Sequence, residues 1–300
     1  MHFLARNARP RPHSPGASII SGMRFEVVTI FPGFFAGFFE NGIVRRALGE
    51  ELVSVGVHDL RTFTHDRHRT VDDRPFGGGE GMVLKPEPLA EALGSLAIGT
   101  REERKSADST GAKGTRVVLM SAQGQRFTQA VAREFAGLER IVMICGRYEG
   151  VDERINEIYC DMELSIGDYI LSGGELAAAV VMDSVIRLIP GVLGNEASGE
   201  FESFGVADTE ITTDVEGVPR SQHGAGGLLD YPHYTRPAEF GGLRAPEVLL
   251  NGDHLQIRRW RREQQLRKTL ANRPDLLQGA VLSREDRALL EAIRNEPSAT

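Results

Sequence analysis

Two glycine-containing segments of the sequence could bind a small molecule through their backbone. The first, residues 146–154, follows the apolar run 140–145, which is typical of a buried strand. Ligands of open α/β sheets bind at such carboxyl ends of strands. The second, residues 165–175, leads into an apolar helical stretch, and Ser172 and Glu175 have the spacing of a capping box. We therefore predict that a strand end and a helix N-terminus both expose glycine backbone to a ligand.

A basic segment near the C-terminus is a second candidate for binding. Between residues 254 and 273, Glu263 is the one acidic residue beside seven arginines and lysines, and Trp260 lies among them. Arginines interleaved with an aromatic side chain are typical of surfaces that contact RNA phosphates and bases. A solvated charged face explains the same composition equally well.

Two other patterns favour ordinary structural roles, and a third, at Arg187, suits a structural role and a catalytic role about equally. The glycine run 77–81 has neither the lysine of a Walker loop nor a dinucleotide fingerprint, which favours a flexible turn. His65 and His68 flank Asp66 without a matching second pair of ligands, so we predict no structural metal. Arg187 falls in the last turn of a predicted helix, where a cation complements the helix dipole.

Length and composition limit the class of protein. The chain of 300 residues suits one large or two modest domains, and its hydrophobic content of 41% allows an ordinary core. A net charge of −7 argues against a uniformly basic coat for nucleic acid. No apolar run approaches the ~18 residues of a membrane span, and Cys145 and Cys160 suit reduced core positions, so we expect a soluble cytoplasmic protein. Residues 1–22 lack a sustained apolar stretch, which predicts a disordered N-terminal extension rather than a secretory signal.

The elements that must position these segments alternate between strands and helices, which predicts an α/β fold. Apolar runs indicate strands at 24–30, 55–59, 116–120 and 140–145. Helical periodicity indicates helices near 34–48, 88–93, 128–135, 175–188, 252–271 and 283–294. We predict an α/β domain over 23–194, a polar flexible linker over 195–227, and a small helical domain without β-like runs over 228–300.

Seven motifs then follow one another along the chain, at 29–32, 71–79, 146–154, 166–175, 189–194, 232–237 and 252–262. Their residues and order resemble the bacterial tRNA (guanine-N1)-methyltransferases of the SPOUT superfamily, and the similarity extends from Met23 to about Thr269. The resemblance implies a trefoil-knotted α/β domain with a parallel sheet, although knots are rare in proteins. It also implies a homodimer with active sites between subunits, S-adenosylmethionine as methyl donor, dependence on Mg²⁺, and methylation of N1 in the guanosine immediately 3′ of the tRNA anticodon.

Matching positions give the site residues that the resemblance implies. The cofactor-binding set is Ser121, Gly146, Tyr148, Glu149, Ile166, Gly167, Asp168, Tyr169, Ile170, Leu171, Gly173 and Gly174. Ala122 stands where the family usually has proline, a change that slightly loosens the first loop. The tRNA-binding set is Arg258, Arg259, Arg261 and Arg262. Glu149 could offset the charge of a sulfonium or accept a hydrogen bond from a ribose hydroxyl.

Methylation at guanine N1 requires the N1 proton to leave while negative charge builds on O6, so a carboxylate base and a cation are needed. By its match to the family, Arg187 is the residue expected to stabilise O6. The family base is an aspartate, and Glu202 occupies that position here. An acidic insertion over 205–227 is expected to extend a mobile lid.

Two alternatives remain open at this point. Another SPOUT enzyme could methylate a ribose hydroxyl or a different base. A non-catalytic RNA-binding relative could have lost its base when the aspartate became Glu202.

Overall fold

The computed structural model describes residues 22–108, 114–194, 201–205 and 224–296. The predicted N-terminal extension, apart from Gly22, and most of the predicted linker and acidic insertion therefore lie outside the described residues. The chain divides into two compact units, Met1–Ile186 and Arg187–Thr300. Among the described helices, none has the length and apolar character needed to cross a bilayer.

The first unit contains a five-stranded parallel sheet. Its described strands are β1 (Met23–Thr29), β2 (Val53–Asp59), β3 (Asp72–Asp73), β4 (Val83–Leu84), β5 (Thr115–Arg126), β6 (Arg140–Cys145) and β7 (Met162–Ser165). The sheet order is β2-β1-β6-β5-β7, with every neighbouring pair parallel, while β3 and β4 form a separate antiparallel pair. The apolar runs predicted as strands are confirmed, and β5 extends beyond its predicted end.

Helices cover both faces of this sheet. They are α1 (Ala36–Phe39), α2 (Gly42–Gly49), α3 (Pro86–Ser95), α4 (Arg101–Asp108), α5 (Gln129–Ala136), α6 (Glu153–Tyr159) and α7 (Glu175–Ile186). Val28 and Ile144 pack with α3 and α6, whereas α7 packs with β1, β6 and the helices α2 and α5. Successive residues of a strand face opposite sides of the sheet. When helices cover both faces, successive strand residues are therefore apolar, which explains the continuous apolar runs in the sequence.

The predicted helix at 34–48 is divided in the structure. A 3-10 turn over Pro32–Phe35 precedes α1, and α2 begins only at Gly42, whose φ of +60° is left-handed backbone. The prediction also missed α4, α6, β7 and the β3–β4 pair. These elements are short, so their periodicity is too brief to stand out in the sequence.

The second unit is mainly helical where it is described. It contains α8 (His254–Asn272), α9 (Leu276–Gly279), α10 (Arg284–Arg294) and a 3-10 turn over Glu247–Leu249. Asp253 caps α8, and Ser283 forms a capping box at α10. The prediction that this region lacks strands was wrong, because β8 (Glu239–Phe240) and β9 (Leu243–Arg244) form a hairpin. Gly241 and Gly242, with φ of +60° and +79°, supply the turn that joins them.

Candidate active site

A cleft of about 400 Å³ opens where β5, β6 and β7 end in the first unit. The predicted cofactor residues that line it are Ser121, Gly146, Tyr148, Glu149, Ile166, Gly167, Tyr169, Ile170, Leu171, Gly173 and Gly174. Asp168 is the exception: its side chain is 85% exposed and pairs with Arg126 at 2.5 Å. The structure therefore brings the three predicted loops to one cleft and leaves Asp168 outside it.

The first wall of the cleft is a bulge in β5. Met120 and Gln125 both pair with Leu164 of β7, so the residues between them protrude from the sheet. A β-carbon on Gly124 would overlap the backbone of Glu163. Position 124 therefore requires glycine, because any side chain there would collide with β7. The pairing of β5 with β7 thus fixes the position of the predicted loop that begins at Ser121.

The opposite wall is the segment between β7 and α7. The Gly174 N–H donates to the Gly146 carbonyl over 2.9 Å, and Gly173 forms an antiparallel bridge with Arg147. A β-carbon on Gly174 would lie 2.8 Å from the Cα of Cys145. Backbone therefore touches backbone at this point, as the glycine pair predicted.

Glu175 anchors this wall, but it does so by contacts that the sequence pattern did not predict. The predicted capping box with Ser172 is wrong, because Glu175 is the first residue of α7 and its side chain is only 1% exposed. Its carboxylate accepts a 2.7 Å hydrogen bond from the Thr29 hydroxyl and pairs with Arg147 at 2.8 Å. A buried carboxylate needs such a charged partner, which a backbone N–H does not supply.

Arg147 and the motif at 29–32 complete this anchor. The Arg147 guanidinium also donates to the Ser172 carbonyl over 3.0 Å and lies 4.5 Å from the ring centroid of Phe31. The Phe31 N–H donates to the Thr29 hydroxyl over 2.9 Å. The end of β1, the loop after β6 and the start of α7 are thus joined in one network.

Replacing Thr29 by valine should lower the free energy of unfolding by about 1–3 kcal/mol, because the buried Glu175 carboxylate would lose one of its donors. Urea unfolding measures this change. Thr29→Ser keeps the hydroxyl and should stay close to wild type. Equal stability of Thr29→Val and wild type would contradict the anchor.

The glycine run at 77–81 contributes more than the flexible turn that the sequence favoured. A β-carbon on Gly81 would overlap the Glu149 side chain, and the Glu149 N–H donates to the Met82 carbonyl over 3.0 Å. Tyr148, with φ of +58°, holds the strained backbone that precedes Glu149. The loop between β3 and β4 therefore supports the cleft from outside. Its high glycine content was the feature of the sequence that could have indicated this close packing.

Neither cysteine of the chain lines this cleft. Cys145 and Cys160 are free and buried. Burial raises the pKa of the Cys145 thiol well above its usual range, and the nearby charge of Glu175 raises it further. Burial also raises the pKa of Cys160 to about 12. Both thiols therefore stay protonated at neutral pH, as expected of core residues.

The two predicted catalytic side chains meet in the second unit. Arg187 donates to both carboxylate oxygens of Glu202, over 2.6 and 2.5 Å, and both side chains are half-buried. Such a bidentate pair fixes the plane of the guanidinium against the plane of the carboxylate. The structure thus joins a cation and a carboxylate that the sequence separates by a helix end and a loop.

The predicted RNA-binding set divides in two. Arg258 and Arg262 are 6% and 5% exposed, so they do not face solvent, and Arg262 forms a bidentate pair with the buried Asp286 over 2.7 and 2.9 Å. Arg259 is exposed, and the Arg261 guanidinium lies 4.8 Å from the ring centroid of Tyr231. Residues four apart share one helix face, and this face of α8 packs against α10. Arg262 is therefore a structural residue.

Loss of the Asp286 charge should destabilise the second unit in acid. Burial opposes ionisation of Asp286, but hydrogen bonds from Arg262 and its charge prevail and lower the pKa of Asp286 to about 2. A depressed pKa adds stability above the unfolded value that is lost as pH falls through the folded value, here between about 4 and 2. Urea unfolding should show the stability gap between wild type and Asp286→Asn shrink by about 2 kcal/mol over this window. A constant gap would contradict the pairing.

The described residues contain no group of three or more His, Cys, Asp or Glu side chains that could hold a metal ion. His65 instead pairs with Glu91 at 2.9 Å on the surface. The sequence favoured a polar role for His65 at the surface, and its contact with Glu91 agrees with that role.

The chain is similar to known proteins over most of its length. Residues 23–279 match the family model of the tRNA (Guanine-1)-methyltransferase TrmD. The tRNA (guanine-N(1)-)-methyltransferase of Koribacter versatilis strain Ellin345 is 52% identical over 272 residues, covering 91% of this chain and 98% of that protein. The proteins of the same name from Geobacter sulfurreducens and from Dehalococcoides mccartyi strain 195 are 45% and 47% identical, each over 91% of this chain and over 99% and 98% of their own lengths. This chain belongs to the TrmD family of tRNA (guanine-1)-methyltransferases.

Proposed function

We propose that this protein transfers a methyl group from S-adenosylmethionine to N1 of guanine in tRNA, at the guanosine immediately 3′ of the anticodon. The observation that carries the proposal is the agreement between the family and the cleft, which is lined by nearly all the residues that matched the family's cofactor loops. The alternatives of ribose methylation and of a non-catalytic relative have no comparable support.

The cleft suits S-adenosylmethionine in size and chemistry. A volume of about 400 Å³ lies in the range of small-molecule pockets, and the glycine loops offer backbone groups to an adenine. Glu149 gives a carboxylate in the lining that could face a sulfonium charge or a ribose hydroxyl. When bound, S-adenosylmethionine would supply the methyl group. The cofactor set we propose omits Asp168, because that side chain pairs with Arg126.

The Arg187–Glu202 pair suits the edge of a guanine. Guanine presents the O6 acceptor beside the N1–H donor, and the pair presents guanidinium donors beside carboxylate acceptors. If guanine opens the pair, Glu202 can accept the N1–H while Arg187 donates to O6. The N1 proton then passes to the Glu202 carboxylate, and Arg187 stabilises the negative charge on O6 as the methyl group arrives.

A trefoil knot in the first unit is part of the proposal. After β7, at one edge of the sheet, the chain passes β5 to reach the end of β6, and α7 then packs on β1 and β6. The crossing points carry Gly124 and Gly174, where a β-carbon would meet backbone. Such close passage of chain against chain is what threading through the β5 loop requires, and it supports the knot.

A homodimer with shared active sites is also proposed. Most residues of the helix α7 are apolar, and Leu176 and Val180 on it are exposed. Ile170, beside the cleft, is exposed as well. An apolar face next to a binding cleft is typical of a surface that a partner covers. We further propose that residues 228–300 bind the tRNA, that the enzyme acts in the cytoplasm, and that Mg²⁺ assists turnover.

Transfer of labelled methyl groups to tRNA transcripts tests the proposed function. We expect label to enter a tRNA that carries guanosine 3′ of its anticodon and to be lost when adenosine replaces that single nucleotide. Equal labelling of the two transcripts would contradict the proposed target.

A further inference from the structure

We propose that Arg262, Gln265 and Thr269 form a positioning stripe on α8 that holds the Glu202 segment in its working place. The proposal rests on the proposed function of Glu202 as the base. It assigns to Arg262 a role in turnover rather than the phosphate contact that its charge suggested.

The positioning stripe is buried and polar. Gln265 and Thr269 are fully buried, Arg262 is nearly so, and their spacing of three and four residues places all three on one face of α8. Arg262 donates to the Ala225 carbonyl over 3.2 Å, and the Thr269 hydroxyl accepts from the Leu229 N–H over 3.0 Å. Polar side chains are rarely buried without hydrogen-bond partners, and two of the partners here are backbone groups of residues 225 and 229.

The segment that the stripe holds has no helix or strand of its own. Residues 224–230 form turns and irregular backbone, yet Ala225 and Leu228 within it are fully buried. Buried backbone groups outside regular structure must find partners elsewhere. The positioning stripe supplies some of those partners and thereby fixes the path of this segment.

The same segment holds the residues that follow Glu202. The Phe204 N–H donates to the Leu228 carbonyl over 2.8 Å, and the Asp230 N–H donates to the Ser203 hydroxyl over 2.9 Å. Phe204 has φ of +63°, left-handed backbone that needs support from its surroundings. Contacts therefore run from α8 through residues 224–230 to residues 203–205, and the adjoining Glu202 depends on them.

Arg262 suits this role better than lysine would. Asp286 fixes two of its nitrogens, and Nη1 also donates to the Gln265 side-chain oxygen over 3.0 Å. A planar guanidinium can serve a carboxylate and a carbonyl at once, whereas an ammonium is a single flexible point. Its orientation is thus set before it meets the Ala225 carbonyl.

Thr269→Val tests the stripe with little change in volume. At saturating tRNA and cofactor we expect the single-turnover rate to fall at least about 10-fold, because a displacement near 1 Å can reduce rates about 10²-fold. The Kd for tRNA and its salt dependence should stay at wild-type values, and Thr269→Ser should restore the rate. Arg262→Lys should behave like Thr269→Val.

By comparison, Arg259→Ala should flatten the salt dependence by about one unit of slope if that exposed residue contacts a phosphate.

A wild-type rate in Thr269→Val or in Arg262→Lys would overturn the proposal. Hydrogen exchange gives a readout that does not depend on activity. The Phe204 amide should exchange faster in Thr269→Val than in wild type and recover in Thr269→Ser, while unchanged exchange would also overturn the proposal. A wild-type protein that fails to methylate guanine N1 would contradict the proposed function instead, and the exchange result would still decide whether the stripe holds residues 203–205.

Discussion

Replacing Glu202 by glutamine should lower the single-turnover rate of methyl transfer by about 10²- to 10⁴-fold, the usual contribution of a positioned general base. Glutamine keeps the shape of the side chain and can still accept a hydrogen bond from Arg187, so tRNA and cofactor affinities should hold. Arg187→Ala should also lose turnover, because it removes the donor expected at O6. Rapid-quench measurements across pH give the rates, and equilibrium binding provides the control.

The two losses should not add in the double variant. Proton removal and charge stabilisation belong to one transition state, so the second change removes little that the first has left.

Glu202→Asp should also be slower than wild type, although it restores the family residue. Glu202 already reaches both guanidinium nitrogens within 2.6 Å, and a shorter side chain would break that geometry. A wild-type rate in Glu202→Gln would place the base elsewhere.

Adding a single methyl group at Gly174 should weaken S-adenosylmethionine binding about 10- to 100-fold. The β-carbon of Gly174→Ala would lie 2.8 Å from the Cα of Cys145 and 2.9 Å from the Cβ of Met120, so the loop would have to move. Overpacking of this kind typically costs about 1–3 kcal/mol, and about 1.4 kcal/mol corresponds to tenfold in affinity. Titration calorimetry measures the affinity.

A matched glycine provides the control for this change. Gly94 lies in α3, and a β-carbon there would meet no atom within 4 Å. Gly94→Ala should therefore bind cofactor as wild type does. If Gly174→Ala keeps wild-type affinity with an unchanged circular dichroism spectrum, the segment before α7 does not form the cofactor site.

Local patterns predicted two of the three segments that line the cleft. The apolar run of β6 and the glycines at 146, 173 and 174 are close in sequence to the structures they form, so spacing alone indicated a strand end and a helix start. The loop residues then followed from the resemblance. The structure brings them together because parallel strands end at the same edge of the sheet.

Contacts between residues that are distant in sequence could not be predicted from such local patterns. Glu175 has the spacing of a capping box with Ser172, but its partner Thr29 lies 146 residues away, and burial selected that contact. A count of charges includes Arg262 among the cations of the basic segment. Its role, however, depends on its pairing with Asp286, which lies 24 residues further along the chain. Charge totals do not reveal which helix face packs, and the packed face of α8 carries two of the predicted RNA-binding arginines.

Mass spectrometry of tRNA nucleosides tests the central claim most directly. After incubation of tRNA with the protein and isotopically labelled S-adenosylmethionine, we expect labelled 1-methylguanosine, and fragment mapping should place it immediately 3′ of the anticodon. Label in a ribose-methylated nucleoside or in another base would contradict the claim, as would cofactor binding without any labelled nucleoside.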